Sequence, residues 1–516
     1  MMRIDETSLT FARRSGAMPV AFTDVDSAQW VAVARAFAQA GHHLVALWGS
    51  DRRDLGEGFV VQAAYAADDG LACVRLPARA DPPEVPDLSP HFPAASRMQR
   101  AVFDLLGVRA RGAQDARPWL RHGAWPADFF PLRRDADGAR AFDVQQEHYP
   151  FVTVGGDGVH EIPVGPIHAG IIEPGHFRFS IVGEKVLRLE ERLGYVHKGI
   201  EKRFEGMPLA QGHRLAGRVS GDSTVAYAWA YSMAVEAATG TEIPPRAAWL
   251  RALLLERERV ANHLGDLGAL GNDAALAFGL AQFSRLREDW LRLNDAVFGH
   301  RLLMDRIVPG GTLGDADRDA LERIARQCTE LSAEVNVLRS IYDEHAGLQD
   351  RFQSTGFVTP ELAAQLGLCG LAARASGQAR DLRVDLPCAP YDALSVRIAT
   401  QDRGDVAARV AVRFDELAES LRLIGEIVRR IPPGETQRPL AAVGGDGRGI
   451  GWIEGWRGDV LVAIEADADG RVRRCHCHDP SWQNWPLLEH AVIGNIVPDF
   501  PLINKSFNLS YSGQDL

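Results

Sequence analysis

Five long stretches of this chain set apolar residues three and four positions apart: 209–239, 246–270, 280–303, 312–345 and 406–430. That spacing lines one side of an α-helix with apolar side chains, and five such helices must share a core. Asp315 and Asp405 stand where an N-cap would help start the last two. Strand patterns flank the helices. His176-Phe177-Arg178-Phe179-Ser180-Ile181 alternates polar and apolar, Gly183-Glu184 turns the chain, and 186–193 follows. Near the other end, 459–465 and 471–478 flank the turn Asp467-Ala468-Asp469-Gly470. Residues 150–516 therefore read as one helix-rich unit with strands at both ends.

The first 140 residues have a different character. Apolar runs at 43–48 and 58–63 read as strands, and 95–106 reads as a helix stopped by Gly107. Five prolines in 78–93 predict irregular backbone there, and the acidic stretch 135–143 reads as a linker. The fold class is α+β, with an N-terminal α/β domain over 1–140 and the helix-rich domain over 150–516. At 516 residues the chain is long enough for a large buried core.

Composition narrows the function. A net charge of −11, from 68 acids and 57 bases, argues against a general nucleic-acid binder, which needs a basic surface. Of the six cysteines only Cys475 and Cys477 are close together, so they do not form a disulfide framework. The sequence has no apolar run of about 18 residues to span a membrane. Residues 1–10 carry Asp5 and Glu6 without an apolar core, unlike a signal peptide. A cytoplasmic chain is expected, with any membrane link made through partners.

Ordered motifs carry a family resemblance over most of the chain. They are Gly165-Pro166-Ile167-His168, Gly194-Tyr195-Val196-His197-Lys198-Gly199-Ile200-Glu201-Lys202, the Arg-x4-Glu-x2-Arg-x2-Asn-His pattern from Arg251 to His263, Arg374-Ala375-Ser376-Gly377, Asp381-Leu382-Arg383, Pro390-Tyr391-Asp392 and Gly404-Asp405-Val406. The second unit resembles the large subunit shared by respiratory complex I (the D-type subunit of NADH-quinone oxidoreductase) and energy-converting membrane-bound NiFe hydrogenases, the formate hydrogenlyase and hydrogenase-4 group among them. The runs Val102-Phe103-Asp104-Leu105-Leu106-Gly107-Val108 and Pro131-Leu132-Arg133-Arg134-Asp135 resemble the C-type subunit of complex I, which implies a fused C/D arrangement. The resemblance implies an iron-sulfur small subunit holding a 4Fe–4S cluster and membrane ion-translocating subunits as partners. It also implies a peripheral position on the cytoplasmic side of the inner membrane.

The departures from the family pattern shape the expected chemistry. In the hydrogenase branch four cysteine thiolates hold nickel and iron, and soft thiolates suit those metals. Here the corresponding positions are Ser220, Ser223, Ser510 and Gly513. In the complex I branch a His and a Tyr meet the quinone headgroup, and those positions are Ile172, four residues after His168, and Gly221. The expectation is a large subunit with no NiFe centre and no cofactor of its own, with quinone binding left open. Glu173 and Asp222 are candidates for a proton route, against the plainer readings of a surface carboxylate and a polar filler. By resemblance Lys198, Arg218 and His263 lie toward the partner cluster, where positive charge would favour its reduced form. An ordinary inter-subunit ion pair is the alternative.

Two further motifs invite functional readings. On a strand, Cys475-His476-Cys477-His478 would put two sulfurs on one face and two imidazoles on the other, an awkward arrangement for one metal ion. Residues 444–451 are Gly-rich but lack Gly-x-Gly-x-x-Gly spacing, so a flexible loop is expected and NAD chemistry would belong to other subunits. The function expected is that of a large subunit in a complex-I-like or hydrogenase-related membrane-associated oxidoreductase complex. It would form the cavity beside a partner cluster and couple electron transfer, to quinone or another acceptor, to ion translocation. The isolated chain would be inactive. A non-catalytic scaffold docking a cluster protein onto a membrane module is the alternative.

Overall fold

The computed structural model describes residues 9–14, 16–168, 170 and 172–516. The signal-peptide reading of residues 1–10 falls almost wholly outside them.

In the N-terminal unit, strands β1 (Ala12–Arg14), β2 (Val20–Asp24), β3 (Leu44–Arg52), β4 (Gly58–Ala67) and β5 (Gly70–Ala78) form one sheet in the order β1-β2-β5-β4-β3. Only the β2–β5 pairing is parallel. Helix α1 (Ser27–Gln39) starts on a capping box: the Asp26 side chain accepts the amides of Ala28 and Gln29, and Gln29 Oε1 accepts the Asp26 amide. Short strands β6 (Glu84–Pro86) and β7 (Arg109–Arg111) pair in parallel around α2 (Ala95–Leu106), which ends at Gly107 as expected. Both faces of the sheet are covered, which accounts for apolar runs without alternation. Val61, Ala63 and Tyr65 face a core that includes α1 and α2, whereas Phe22, Trp48 and Ala64 join the core of the second unit.

That second unit opens on the antiparallel strands β8 (Val159–Val164), β9 (His176–Val182) and β10 (Lys185–Arg192). Next come α3 (Ile200–Phe204), α4 (His213–Ala216), α5 (Thr224–Thr239), α6 (Pro245–Asp273) and α7 (Ala277–Phe298). The hairpin β11 (Ile307–Val308) and β12 (Gly311–Thr312) leads to α8 (Arg318–Glu344). Four short helices, α9 (Ala346–Phe352), α10 (Pro360–Leu366), α11 (Gly370–Arg374) and α12 (Leu382–Asp385), precede α13 (Val406–Arg430). The antiparallel sheet β13 (Arg448–Glu454), β14 (Asp459–Ala466) and β15 (Val472–His478) follows, then α14 (Ser481–Ala491), α15 (Phe500–Phe507) and α16 (Tyr511–Asp515).

Three expectations change. The stretch 209–239 is not one helix: it breaks after α4, and an irregular segment runs through Ser220 before α5 begins. Helix α8 starts from Asp317, whose side chain accepts the Ala320 amide, while Asp315 pairs with Arg246 instead. Asp405 does cap α13 through the Ala408 amide. The Gly-rich stretch 444–451 is not wholly a loop, because Arg448 onward forms β13. Its glycines serve close packing: a Cβ on Gly449 would collide with the carbonyl of Ala234, and one on Gly451 with that of Ala230, both on α5. Helix α5 is buried almost all round, as a helix under a sheet must be.

Candidate functional site

The break between α4 and α5 and the start of α16 lie 290 residues apart in sequence, yet they meet. The Ser220 and Ser510 hydroxyls are 2.9 Å apart, and the Gly513 amide donates to Ser510 Oγ at 2.8 Å as an N-cap bond. Ser510 is anchored from behind by its own amide, which donates to Ser481 Oγ. Ser220, Ser510 and Gly513, three of the four positions that correspond to thiolates in the hydrogenase branch, therefore converge.

A guanidinium sits against them. Arg457 lies in the turn Gly455-Trp456-Arg457-Gly458 between β13 and β14 and is 3 % exposed. Its Nη2 donates to Asp222 Oδ2 at 2.6 Å, its Nη1 to Ser223 Oγ at 3.3 Å, and its Nε to the Asn508 carbonyl at 2.5 Å. Trp456 supplies Nε1–H to the Asp222 carbonyl and to Ser223 Oγ, and its ring lies under the Arg457 cation. Asp222 also accepts the Ser220 hydroxyl at 2.7 Å. Burial alone would raise the Asp222 carboxyl, but Arg457 and the Ser220 hydroxyl outweigh it and hold the group below its ordinary value. Asp222 is thus ionised and paired at neutral pH.

The residues present do not fit a nickel–iron centre. Hydroxyls replace thiolates, Ser220 and Ser510 touch directly, and Arg457 already supplies the positive charge a metal would bring. A Cβ on Gly513 would collide with the carboxylate of Asp479, which is held by Tyr227 Oη at 2.8 Å and by the Ser481 amide. Among the described residues, no group of three or more His, Cys, Asp or Glu side chains could hold a metal ion. The Cys475 and Cys477 sulfurs share one face 4.0 Å apart, while His476 and His478 face the other way toward Glu201 and Gln483.

The remaining expected residues spread over several places. Glu173 is an exposed loop residue rather than a buried carboxylate, and its Oε2 accepts the Ser512 amide at 2.9 Å. That bond ties the loop of His168 and Ile172 to α16. Ile172 is 53 % exposed and Gly221 is exposed, so the two positions corresponding to quinone contacts lie on the surface of this chain. His168 accepts the Gly170 amide within that loop. Lys198 reaches back to the Val219 carbonyl beside Ser220, and burial lowers its pKa against the pull of Glu173 and Asp515. Arg218 points outward into a two-pronged pair with Asp305. His263 requires a correction: it is fully buried, bonded to Glu416 at 2.9 Å, and offers no atom to a partner surface.

Arg457, Asp479, Asn508 and Asp515 escaped the sequence reading. Asp515 is fully buried; burial raises its carboxyl to about 7, although the Val196 amide donates to it. The available signal for Arg457 was a charged residue flanked by Trp456 and two glycines in a hairpin turn.

Comparisons with known proteins agree with this architecture. Residues 23–141 match the family described as the 30 Kd subunit of respiratory-chain NADH dehydrogenase, and residues 273–443 match its 49 Kd subunit. Formate hydrogenlyase subunit 5 of Escherichia coli (strain K12) is 32 % identical over 491 residues, covering 93 % of this chain and 86 % of that protein. Hydrogenase-4 component G of the same organism is 31 % identical over 485 residues, 92 % and 83 % respectively. The C/D subunit of NADH-quinone oxidoreductase from Bacteroides thetaiotaomicron is 28 % identical over 416 residues, covering 76 % and 78 %. Among solved structures, a chain of the membrane-bound sulfane sulfur reductase, an archaeal respiratory membrane complex, superposes with a TM-score of 0.65 at 25 % identity, covering 70 % of this chain and 99 % of that one. This chain belongs to the family in which the 30 Kd-type and 49 Kd-type units of respiratory-chain NADH dehydrogenase are joined in one polypeptide, together with formate hydrogenlyase subunit 5 and hydrogenase-4 component G.

Proposed function

We propose that this chain is the large subunit of a membrane-associated oxidoreductase complex, forming one wall of a cavity beside a 4Fe–4S cluster held by an iron-sulfur partner. Electrons pass there to a quinone or another acceptor, and the chain couples that transfer to ion translocation by membrane partners, without a NiFe centre. One observation carries this reading. The paired site of Asp222 and Arg457 adjoins exposed residues: Gly221 precedes Asp222, Lys198 bonds the Val219 carbonyl beside Ser220, and Glu173, next to Ile172, accepts the Ser512 amide beside Gly513. An acceptor bound between those residues and a partner would meet fixed positive charge and hydrogen-bond donors. No described helix is long and apolar enough to cross a membrane, so the membrane contact is assigned to partners. The chain is placed peripherally on the cytoplasmic side of the inner membrane, and alone it is inactive.

A second reading, a scaffold that docks a cluster protein without handling substrate, draws support from the direct Ser220–Ser510 bond, which leaves no space for a ligand between those two residues. The test uses the native membrane complex isolated through a tag on this chain. Its cluster is reduced chemically, quinone is added, and electron paramagnetic resonance follows the reduced signal. Fast reoxidation is expected. A reduced cluster that stays reduced in the presence of quinone favours the scaffold or a different acceptor.

A further inference from the structure

A cavity of about 450 Å³ lies between the two units, and Asp222, Arg457 and the serines beside them do not line it. His42, His43 and Asp68 line it from the N-terminal unit, and Asp385, Glu454 and Asp459 from the second. Glu454 ends β13 and is almost fully buried at the cavity wall. Its Oε1 accepts Arg374 Nη1 at 2.8 Å, and its Oε2 accepts the Leu382 amide at 3.2 Å. Arg374 continues inward, donating from Nε to Glu416 Oε1 at 2.7 Å, and Glu416 Oε2 meets His263 Nε2 at 2.9 Å.

A second line of polar groups runs from that point to the site. Arg413, one turn before Glu416 on α13, donates to Asp266 at 2.9 Å; Asn508 donates to the other Asp266 oxygen at 2.7 Å; and the Asn508 carbonyl accepts Arg457. The two lines approach each other at His263 and Asp266, one turn apart on α6. There His263 Nδ1, Arg374 Nη2 and Arg413 Nη2 are buried without a protein partner. Buried polar atoms without a protein partner are what an internal water satisfies. Internal water at those atoms would join the two lines, and so connect the cavity to Asp222. Arginine keeps its protons, so the line carries no proton, and a change of charge at one end acts on the other through the field of the paired groups.

We propose that the cavity between the two units is a proton-uptake site, at which Glu454 gains a proton from cavity water when negative charge arrives next to Asp222. With Glu454 neutral, Arg374 bears more fully on Glu416, and the inner end of the line becomes more positive, offsetting the added charge. An O–H bond forms on Glu454 as one breaks in a hydronium ion of the cavity water, which is left as water, and no oxidation state changes. The source of the negative charge rests on the proposed function. Burial, then Asp381 and Asp459, raise the Glu454 carboxyl to about 7 against the pull of Arg374, which places it near its midpoint at neutral pH. The charged or titratable groups around it are Arg374, Asp381, Asp459, Cys369 and Arg259, the last holding the Glu454 carbonyl at 2.8 Å, and across the cavity Arg380, which bonds His43, with His42, Asp68 and Asp385.

The test compares the native complex with E454Q, which keeps a side-chain acceptor for Arg374, and with E454D, which restores an acid. Infrared pH titration of the unreduced complex reads Glu454 without any redox step. A carboxylic-acid band that titrates near neutral pH and is lost in E454Q is expected, and a Glu454 ionised throughout pH 6–8 overturns the proposal. The second readout is the midpoint potential of the cluster against pH. It is expected to fall with rising pH in the native complex and in E454D, and to fall less steeply in E454Q. Equal slopes in the native complex and E454Q would overturn the coupling even if Glu454 titrates. A complex that carries no cluster at all would refute the proposed function, while the infrared result still decides whether Glu454 takes up a proton.

Discussion

The N-terminal sheet and the helical core of the second unit are both buried, and different forces hold them. Val61, Ala63, Tyr65 and Val74 fill the sheet's inner face with apolar surface. In the second unit Arg251, Arg257, Arg259, Arg374 and Arg409 are fully buried. Arg251 is clamped by Glu236, Arg383 by Asp381 and Glu256, and Arg409 by the carbonyls of Gly356 and Gly404. Apolar contact is non-directional and forgiving. Buried ion pairs are directional, and losing one partner strands the other away from water. The second unit thus fixes helix positions with charge, and the Arg457–Asp222 pair is the end of that design nearest the surface.

The largest expected effect tests this contrast directly. Arg374→Met leaves Glu416 and Glu454 without their cation and is expected to cost about 3–5 kcal/mol in chemical denaturation. Val61→Ala in the N-terminal sheet removes two buried methylenes and should cost about 2 kcal/mol. A reversed order would mean that the two cores are held alike. Next comes the site pair. Asp222 is 37 % exposed and Arg457 is 3 % exposed. Asp222→Asn, which strands the buried cation, should therefore cost more than Arg457→Met, roughly 2 against roughly 1 kcal/mol. Equal costs would remove the burial argument.

Acid and neutral pH should act on different groups. Glu256 is pushed up by burial, but Arg383 and Arg259 bring it down to about 2, so its stabilisation is present above about pH 4.5 and is lost as pH falls through 2. Asp515, raised to about 7, binds a proton more tightly folded than unfolded. Its contribution therefore weakens stability as pH rises from about 4 to 7 and levels off above. Asp515→Asn should flatten that arm of the stability profile, and an unchanged slope in the variant would exclude Asp515 as its cause. Smaller effects are expected at the convergent positions. Gly513→Cys drives a side chain into Asp479 and should lower the melting temperature more than Ser223→Cys does; the reverse ranking would show that Asp479 can move aside. If Lys198 faces a partner cluster as proposed, Lys198→Glu should lower that cluster's midpoint potential with little change in stability, and an unchanged potential would remove the assignment.

Much of the helical framework was legible in the sequence because period and caps act locally: Asp405, Gly107 and the 467–470 turn each lie where the residues predict. The convergence of Ser220 with Ser510 was legible only through the family resemblance, since no local pattern links positions 290 residues apart. Arg457 was not legible, because a buried arginine reads like any exposed one until its anion is in place. The glycines of 444–451 misled for a related reason: flexibility and close packing against α5 call for the same residue, and only the neighbouring helix distinguishes them. His263 misled because its family position suggested a surface, whereas its partner Glu416 lies 153 residues away on α13.

The misfit between this site and a nickel–iron centre rests on Arg457, Asp222 and Asp479, which pack against Ser223, Ser220 and Gly513. It is tested most directly by elemental analysis of the intact complex, with nickel measured against the chain by mass spectrometry after growth in nickel-supplemented medium. No nickel above background is expected in the native chain, and equally none in Arg457→Met, where Asp479 and the serine hydroxyls remain. One nickel per native chain would contradict it.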